Sequence, residues 1–365
     1  MERNWFALSC ALDLTERAME PFYLPTAEML TLKGSAQQVW HDQAADLRSK
    51  QFGRQVFVRA VVEVSNFCRE NCHYCGMRRD NRTLDRFRAR LEGLQELLVD
   101  KRPASVTDVN IQAGEDPVAV REVVLPLVRT LRQETPLGIS ICLGTLSASV
   151  YSELQDAGAA IYIIKFELAD AIRYAELQGP GSLVERIDHI HLLANMGWKV
   201  SSGFIAGLPA QGAKELLANL ALARTLPLDG CSVSPFIPGE ETPLASSETA
   251  NIDLTLNCMA AMRLMRPDWV IPAVSALHLA EPGAGYRRGL RAGANLVTIN
   301  LTPPNIRQDY VLYKRDRFIM TEERILSAIA AEGLSPSEQS LVGFYRQKES
   351  HRTVPVEQRI ESPAM

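Results

Sequence analysis

The sequence predicts an α/β protein built on one (β/α)8 barrel of the TIM type, with an N-terminal helical extension and a C-terminal helical cap. Three observations carry that prediction. From Val56 onward, short β-branched runs alternate with longer amphipathic stretches, the mark of repeated strand–helix units and a parallel sheet. Eight such runs can be counted, and eight close into a ring, whereas an open doubly wound sheet more often has about five to seven. The chain's 365 residues also accommodate the roughly 250 of a barrel with room for additions at both ends.

In order, residues 1–54 carry helical patterning, as at Ala27 to Leu32 and Val39 to Leu47, and contain no clear strand. The barrel follows over 55–315, with strands expected at Val56–Val64, Ser105–Gln112, Gly138–Leu143, Ala160–Phe166, Lys199–Ile205, Gly230–Pro235, Trp269–Ala273 and Asn295–Asn300. After Pro303 and Pro304 comes a polar loop. A helical pattern at Thr321–Glu332 then stops at Gly333 and Pro336, and 316–346 reads as the cap. From about Gln347 the chain is charged, holds Pro355 and Pro363 and has little apolar content, so 347–365 is expected to be a disordered tail.

With 46% apolar and 22% charged residues, the composition is that of an ordinary globular protein with a large core. A net charge of -4 gives no global attraction for phosphate backbones or anionic lipid, so neither nucleic acid nor membrane is expected as a partner. No apolar run reaches the roughly 18 residues of a membrane span, and the N-terminus, with Glu2 and Arg3, lacks the order of a signal peptide. A cytoplasmic location follows as the expectation. Three of the seven cysteines fall within eight residues, which suits a metal site in a reducing compartment better than a disulfide framework. Cys10, Cys142, Cys231 and Cys258 are scattered.

The clustered cysteines are Cys68, Cys72 and Cys75, spaced C-x3-C-x2-C directly after the first barrel strand, where barrel enzymes place their chemistry. Three thiolates leave a tetrahedral zinc ion one ligand short, but they can hold three irons of a cubane cluster and leave the fourth iron open. A Cys3His zinc site through His73 or a distant histidine is disfavoured because His73 lies between two of the ligands.

With Tyr74 as its aromatic, the segment Cys68-Arg69-Glu70-Asn71-Cys72-His73-Tyr74-Cys75 resembles the signature of the radical S-adenosylmethionine superfamily. The resemblance implies one 4Fe-4S cluster, S-adenosylmethionine chelating its open iron, and reductive cleavage to a 5′-deoxyadenosyl radical that attacks a small-molecule substrate. It also implies a flavodoxin- or ferredoxin-type electron donor. Further segments match the superfamily's cofactor cradle. Gly114-Glu115, at the end of strand two, corresponds to the stretch that binds the methionine amino group. Glu167, ending strand four, corresponds to the acid on the ribose hydroxyls. Arg186 resembles the arginine that pairs with the cofactor carboxylate, and Gly203, Ile205 and Gly207 resemble a G-x-I-x-G adenine-binding stretch.

From about Val56 to Pro336 the chain is similar to the biotin-synthase-like branch, which includes the [FeFe]-hydrogenase maturase and methylornithine synthase. Gln112-Ala113-Gly114-Glu115-Asp116-Pro117, Pro235-Phe236-Ile237-Pro238 and Arg307-Gln308-Asp309-Tyr310 resemble the maturase; Ala292-Gly293-Ala294 leading into Asn295 resembles methylornithine synthase equally. The branch implies cofactor or amino-acid biosynthesis on an amino-acid-like or sulfur-containing substrate. Biotin synthase also sacrifices a second cluster for sulfur insertion, but only Cys142 matches its ligands: Gln112–Ala113 and Ser201 stand at the other positions. Sulfur insertion is therefore disfavoured, with an iron–sulfur scaffold or electron carrier as the other alternative. Polar candidates for the substrate pocket are Ser234, Ser275, Thr298, Arg307 and Tyr310, with His278, Asn300 and Thr302 nearby.

Overall fold

The computed structural model describes residues 25–315 and 319–353. Seven parallel strands curl in the order β6-β5-β4-β3-β2-β1-β7. They are β1 (Gln55–Ser65), β2 (Asp108–Ala113), β3 (Gly138–Cys142), β4 (Ile161–Ile163), β5 (Lys199–Ala206), β6 (Gly230–Pro235) and β7 (Leu296–Asn300). Each is joined to the next through helix, as the alternating pattern requires. In β1, Val56, Val58, Ala60, Val62 and Val64 are wholly buried beneath the helices, while the alternate residues Arg59, Val61 and Glu63 face the barrel interior.

The expected strand at Trp269–Ala273 is reduced to two bridges, yet it closes the ring. Val270 bridges Gly230 and Pro272 bridges Leu296. Cys231 N–H donates to Val270 O (3.1 Å), Asn295 N–H to Ile271 O (2.9 Å) and Ala273 N–H to Leu296 O (2.8 Å). Pro272 has no N–H to offer, which keeps this segment from forming a longer ladder. The fourth strand is also shorter than expected, stopping at Ile163. A short β8 (Ser335–Pro336) pairs with the start of β1.

The extension is helical, with Ala27–Leu30 and Gly34–Phe52; the part of it before residue 25 lies outside the described residues. Gln37 Nε2 and His41 Nε2 both meet Asn257 Oδ1, at 3.0 and 2.9 Å, and Asn257 Nδ2 donates to Leu30 O and Leu32 O. One buried amide thereby ties the extension to the helix Ile252–Met265.

The cap contains the expected helix, Glu322–Ala331, but the disordered tail needs correction. A helix runs from Leu341 to Thr353, and Leu341 and Tyr345 pack with Phe57, Ile161, Val270 and Leu296 to seal the bottom of the barrel. Its charged residues have partners on the barrel: Lys348 Nζ lies 3.0 Å from Asp268, and Glu349 pairs with Lys199. Low apolar content misled the reading because the described part of the tail continues a helix that Leu341 and Tyr345 of the cap anchor, and is itself held by ion pairs. The remainder of the expected tail, 354–365, lies outside the described residues.

Candidate functional site

The cysteine loop leaves β1 at the C-terminal mouth and is anchored at Asn66. Its Nδ2 donates to Asp85 O and Asp309 O, each at 2.7 Å, and its Oδ1 accepts from Phe87 N–H at 2.7 Å. Burial pushes all three thiols upward, Cys75 to about 12. As free thiols they stay protonated near neutrality, and only a positive centre of iron charge would stabilise three thiolates together in this place. Among the described residues no three His, Cys, Asp or Glu side chains converge on one ion position. A cubane takes each thiolate on a different iron, so three thiols spread along one loop suit it.

The turn after β2 packs hard against this loop. A Cβ on Gly114 would stand 2.3 Å from Phe67 O and 2.8 Å from Cys68 Cβ, so only glycine permits the approach. The N–H of Glu115 donates to Cys68 Sγ at 3.4 Å. The Glu115 carboxylate is already held by Arg69 (2.9 and 3.1 Å) and by buried Arg186 (3.4 Å). A capping box, Ser182 with Glu185, starts the helix that carries Arg186. Burial opposes its charge, but Glu115 and Tyr174 outweigh burial and hold it cationic. Its Nε is buried with no hydrogen-bond partner, a donor left over for an anionic ligand.

Glu167 lies four residues beyond the end of β4, in an isolated bridge to Phe204 and in the left-handed region (φ 62°), which costs a non-glycine residue about 1–2 kcal/mol. Its N–H donates to Gly203 O (3.0 Å) and its carbonyl accepts from Ile205 N–H (2.9 Å), so the acid and the Gly203–Gly207 stretch form one unit. Burial raises its carboxyl, opposed by Lys165 and Arg186. Gly203 itself serves strand packing, because a Cβ there would lie 2.2 Å from Ser232 Oγ. Gly207 turns at φ 84°, and its N–H donates to Gln211 Oε1 at 2.6 Å. The Tyr74 hydroxyl is buried, and burial first, then Cys72 and Glu167, raise it well above the ordinary phenol range, so it stays protonated beside the cysteine loop.

Within the barrel lies a cavity of about 190 Å³, room for about six waters or one small molecule. Ser234, Ser275, Thr298, His278 and Asn300 line it as expected. Arg307 and Tyr310 do not. Tyr310 is buried outside the barrel with Met77, Leu84 and Val311, and Arg307 bonds the carbonyl of Asn300 at 3.4 Å; Thr302 instead accepts from Glu63 N–H. The charged lining is Arg59, Glu63 and Lys165, none of them singled out from the sequence. The period-2 alternation of Arg59-Val61-Glu63 was the available signal. Lys165 Nζ donates to Ser234 Oγ at 3.2 Å; burial works against its charge, but Glu167 and neighbouring groups raise it. Cys142 is the one thiol among the lining residues, beside Gln112 in register.

Barrel enzymes keep their reactive groups at this end of the strands, and here that end presents three clustered thiols above a charged pocket. The chain is thus a barrel enzyme of the metal-cluster type, and comparison with known proteins identifies the kind. Residues 62–223 match the family model of the radical SAM superfamily. Over 270 residues the chain is 33% identical to the [FeFe] hydrogenase maturase subunit HydE of Thermotoga maritima, covering 74% of this chain and 77% of the relative. It is 25% identical to 3-methylornithine synthase of Methanosarcina barkeri over 90% of this chain and 95% of that one. The crystal structure of methylornithine synthase (PylB) superposes with a TM-score of 0.80, spanning 91% of this chain and 99% of the other at 25% identity. The chain belongs to the radical S-adenosylmethionine superfamily, in the group that also matches biotin synthase. Membership implies a 4Fe-4S cluster and S-adenosylmethionine. No helix among the described residues is long and apolar enough to cross a membrane.

Proposed function

We propose that Cys68, Cys72 and Cys75 hold one 4Fe-4S cluster, and that the enzyme acts with S-adenosylmethionine on a small amino-acid-like or sulfur-containing molecule. The reaction is of the mutase, lyase or synthase type and serves cofactor or amino-acid biosynthesis. The observation that carries this reading is the cavity within the barrel, lined by two cations, Arg59 and Lys165, and one anion, Glu63. Opposed charges in a small buried space match a zwitterion better than a neutral or polymeric substrate.

The cluster and S-adenosylmethionine together supply hydrogen-atom abstraction or radical addition at an unactivated position. The protein's part is orientation. Backbone at Gly114 and Glu115 takes the amino group of the cofactor, Arg186 offers its unpartnered Nε to the carboxylate, Glu167 accepts from the ribose, and Ile205 with Gly203 and Gly207 borders the adenine. Tyr74 packs the cysteine loop. Ser234, Ser275 and Thr298 position substrate. A flavodoxin- or ferredoxin-type protein delivers the electron, and the enzyme works in the cytoplasm. Sulfur insertion is not part of this reading, since Gln112, in register beside Cys142, and Ser201, two strands away in the same cavity, offer no soft thiolate donor.

Anaerobic reconstitution tests it. The chain should bind one cluster and, with dithionite and S-adenosylmethionine, release 5′-deoxyadenosine; alanine at Cys68, Cys72 and Cys75 should abolish both, while Cys142→Ala should keep its iron. Iron and sulfide content that survived loss of all three loop cysteines would overturn the assignment.

A further inference from the structure

Arg86 lies outside the cysteine motif and the cofactor cradle, yet its guanidinium sits inside the cysteine loop. Nη1 donates to Asn66 O (2.5 Å) and Met77 O (2.9 Å), and Nη2 donates to Arg78 O (2.7 Å) and Asn81 O (3.2 Å). The four carbonyls bracket the three cysteines on both sides in sequence. No carboxylate forms an ion pair with Arg86 among the described residues, in contrast to Arg69, which pairs with Glu115, and Arg88, which pairs with Asp116. Its charge is therefore left for what the loop surrounds, and it couples favourably to Cys68 and Cys75.

We infer that Arg86 is a positioning residue with two separable tasks: its fork of donors holds the cysteine loop in ligand geometry before any cluster is present, and its uncompensated charge raises the potential of the cluster. The inference rests on the proposed cluster at Cys68, Cys72 and Cys75. The first task follows from the planar fork, which alone can serve four carbonyls at once. An unbraced loop of this length would have to be ordered on binding, at a cost in conformational freedom for every residue. The second follows from electrostatics: reduction adds a negative charge to the cluster, and a cation in a partly buried place stabilises the reduced form more than the oxidised one. Neighbouring arginines cannot substitute, because their carboxylate partners cancel most of their field.

The two tasks separate on substitution. Arg86→Lys keeps the charge and loses the fork; Arg86→Gln loses the charge and retains only a shorter donor. Hydrogen exchange of full-length, iron-free protein, read on peptides covering residues 66–87, should show faster exchange in both variants while β1 and β2 peptides stay unchanged. After reconstitution, a redox titration followed by electron paramagnetic resonance should give a wild-type potential for Arg86→Lys and a more negative one for Arg86→Gln. Unchanged loop exchange in both variants would refute the bracing role. Equal potentials in wild type and Arg86→Gln would refute the electrostatic role. If Arg86→Gln takes up too little iron for titration, the Lys variant and the iron-free exchange still decide the bracing role. Substituting Cys68 tests the underlying cluster assignment separately, because that outcome is read in iron content alone.

Discussion

Gly114→Ala challenges the geometry of the mouth with one methyl group. The added Cβ would lie 2.3 Å from Phe67 O, 2.8 Å from Cys68 Cβ and 3.0 Å from the Phe67 carbonyl carbon. Carbon atoms pack best at about 3.5–4.0 Å, so the cysteine loop or the end of β2 must move by roughly 1 Å. Neither can yield by rotating a side chain, since the contacts are backbone and a Cβ. The Gly114 N–H is also bonded to Ser65 O at 3.0 Å, which resists a shift of the strand end. Gly114 is not in the left-handed region, so the effect is purely steric. The cost is that of overpacking, about 1–3 kcal/mol, and the displaced residue is Cys68, a proposed cluster ligand. The variant should fold, unfold at lower denaturant than wild type and lose most of its reconstituted iron. Gly93→Ala is the matched control: Gly93 lies in the helix Leu91–Val99, its added Cβ would meet nothing within 4 Å, and the change should stabilise by about 0.5–1 kcal/mol with iron unchanged. Denaturant unfolding and iron and sulfide analysis read both variants. If Gly114→Ala matched wild type in stability and iron, the close approach of the β2 turn to Cys68 would not be a requirement of the site.

Glu167→Gly should relieve the strain of φ 62°, stabilising the fold by about 1 kcal/mol, while calorimetry shows S-adenosylmethionine affinity falling by roughly tenfold or more as charge-assisted bonds are lost. A loss of stability with affinity intact would remove Glu167 from the cradle. Burial holds the Asp108 carboxyl at about 6 against an ordinary 3.8, even though Leu341 N–H and Thr107 bond to it. Because the native state keeps a proton that the unfolded chain has released, this group makes stability fall as pH rises from about 4 to about 6, by on the order of 3 kcal/mol. Urea unfolding across that window should show a slope in wild type that Asp108→Asn lacks, so that the difference between the two curves carries it; identical pH slopes would refute it. Tyr345→Ala should cost about 3–5 kcal/mol, because the ring is buried at the barrel floor and its hydroxyl donates to Asp229 O at 3.2 Å. A change under about 1 kcal/mol in denaturant unfolding would mean that the C-terminal helix is not a structural plug.

What the sequence determined by itself is what local chemistry determines. Alternation of β-branched runs with amphipathic stretches set the barrel, since each strand must bury its face against a helix whatever the neighbours are. The spacing of Cys68, Cys72 and Cys75 specified a three-thiolate loop because ligands within eight residues are held together by the chain itself. Features that depend on distant partners were decided only by the tertiary structure. Pro272 cut the expected strand to two bridges, yet Gly230 and Leu296 still closed the ring around it. Lys348 and Glu349, read as part of a solvated tail, found Asp268 and Lys199 far away in sequence, and Tyr345 filled the floor. Tyr310 followed its apolar ring out of the cavity into a cluster with Met77 and Leu84, while Arg59, Glu63 and Lys165 turned inward. The sequence alone could not rank those polar candidates, because a strand's alternation says that every second residue faces inward but not which of the two sets does. That choice is made when the helices cover one face of the sheet, and burial of Val58, Ala60 and Val62 beneath them leaves Arg59 and Glu63 facing the interior.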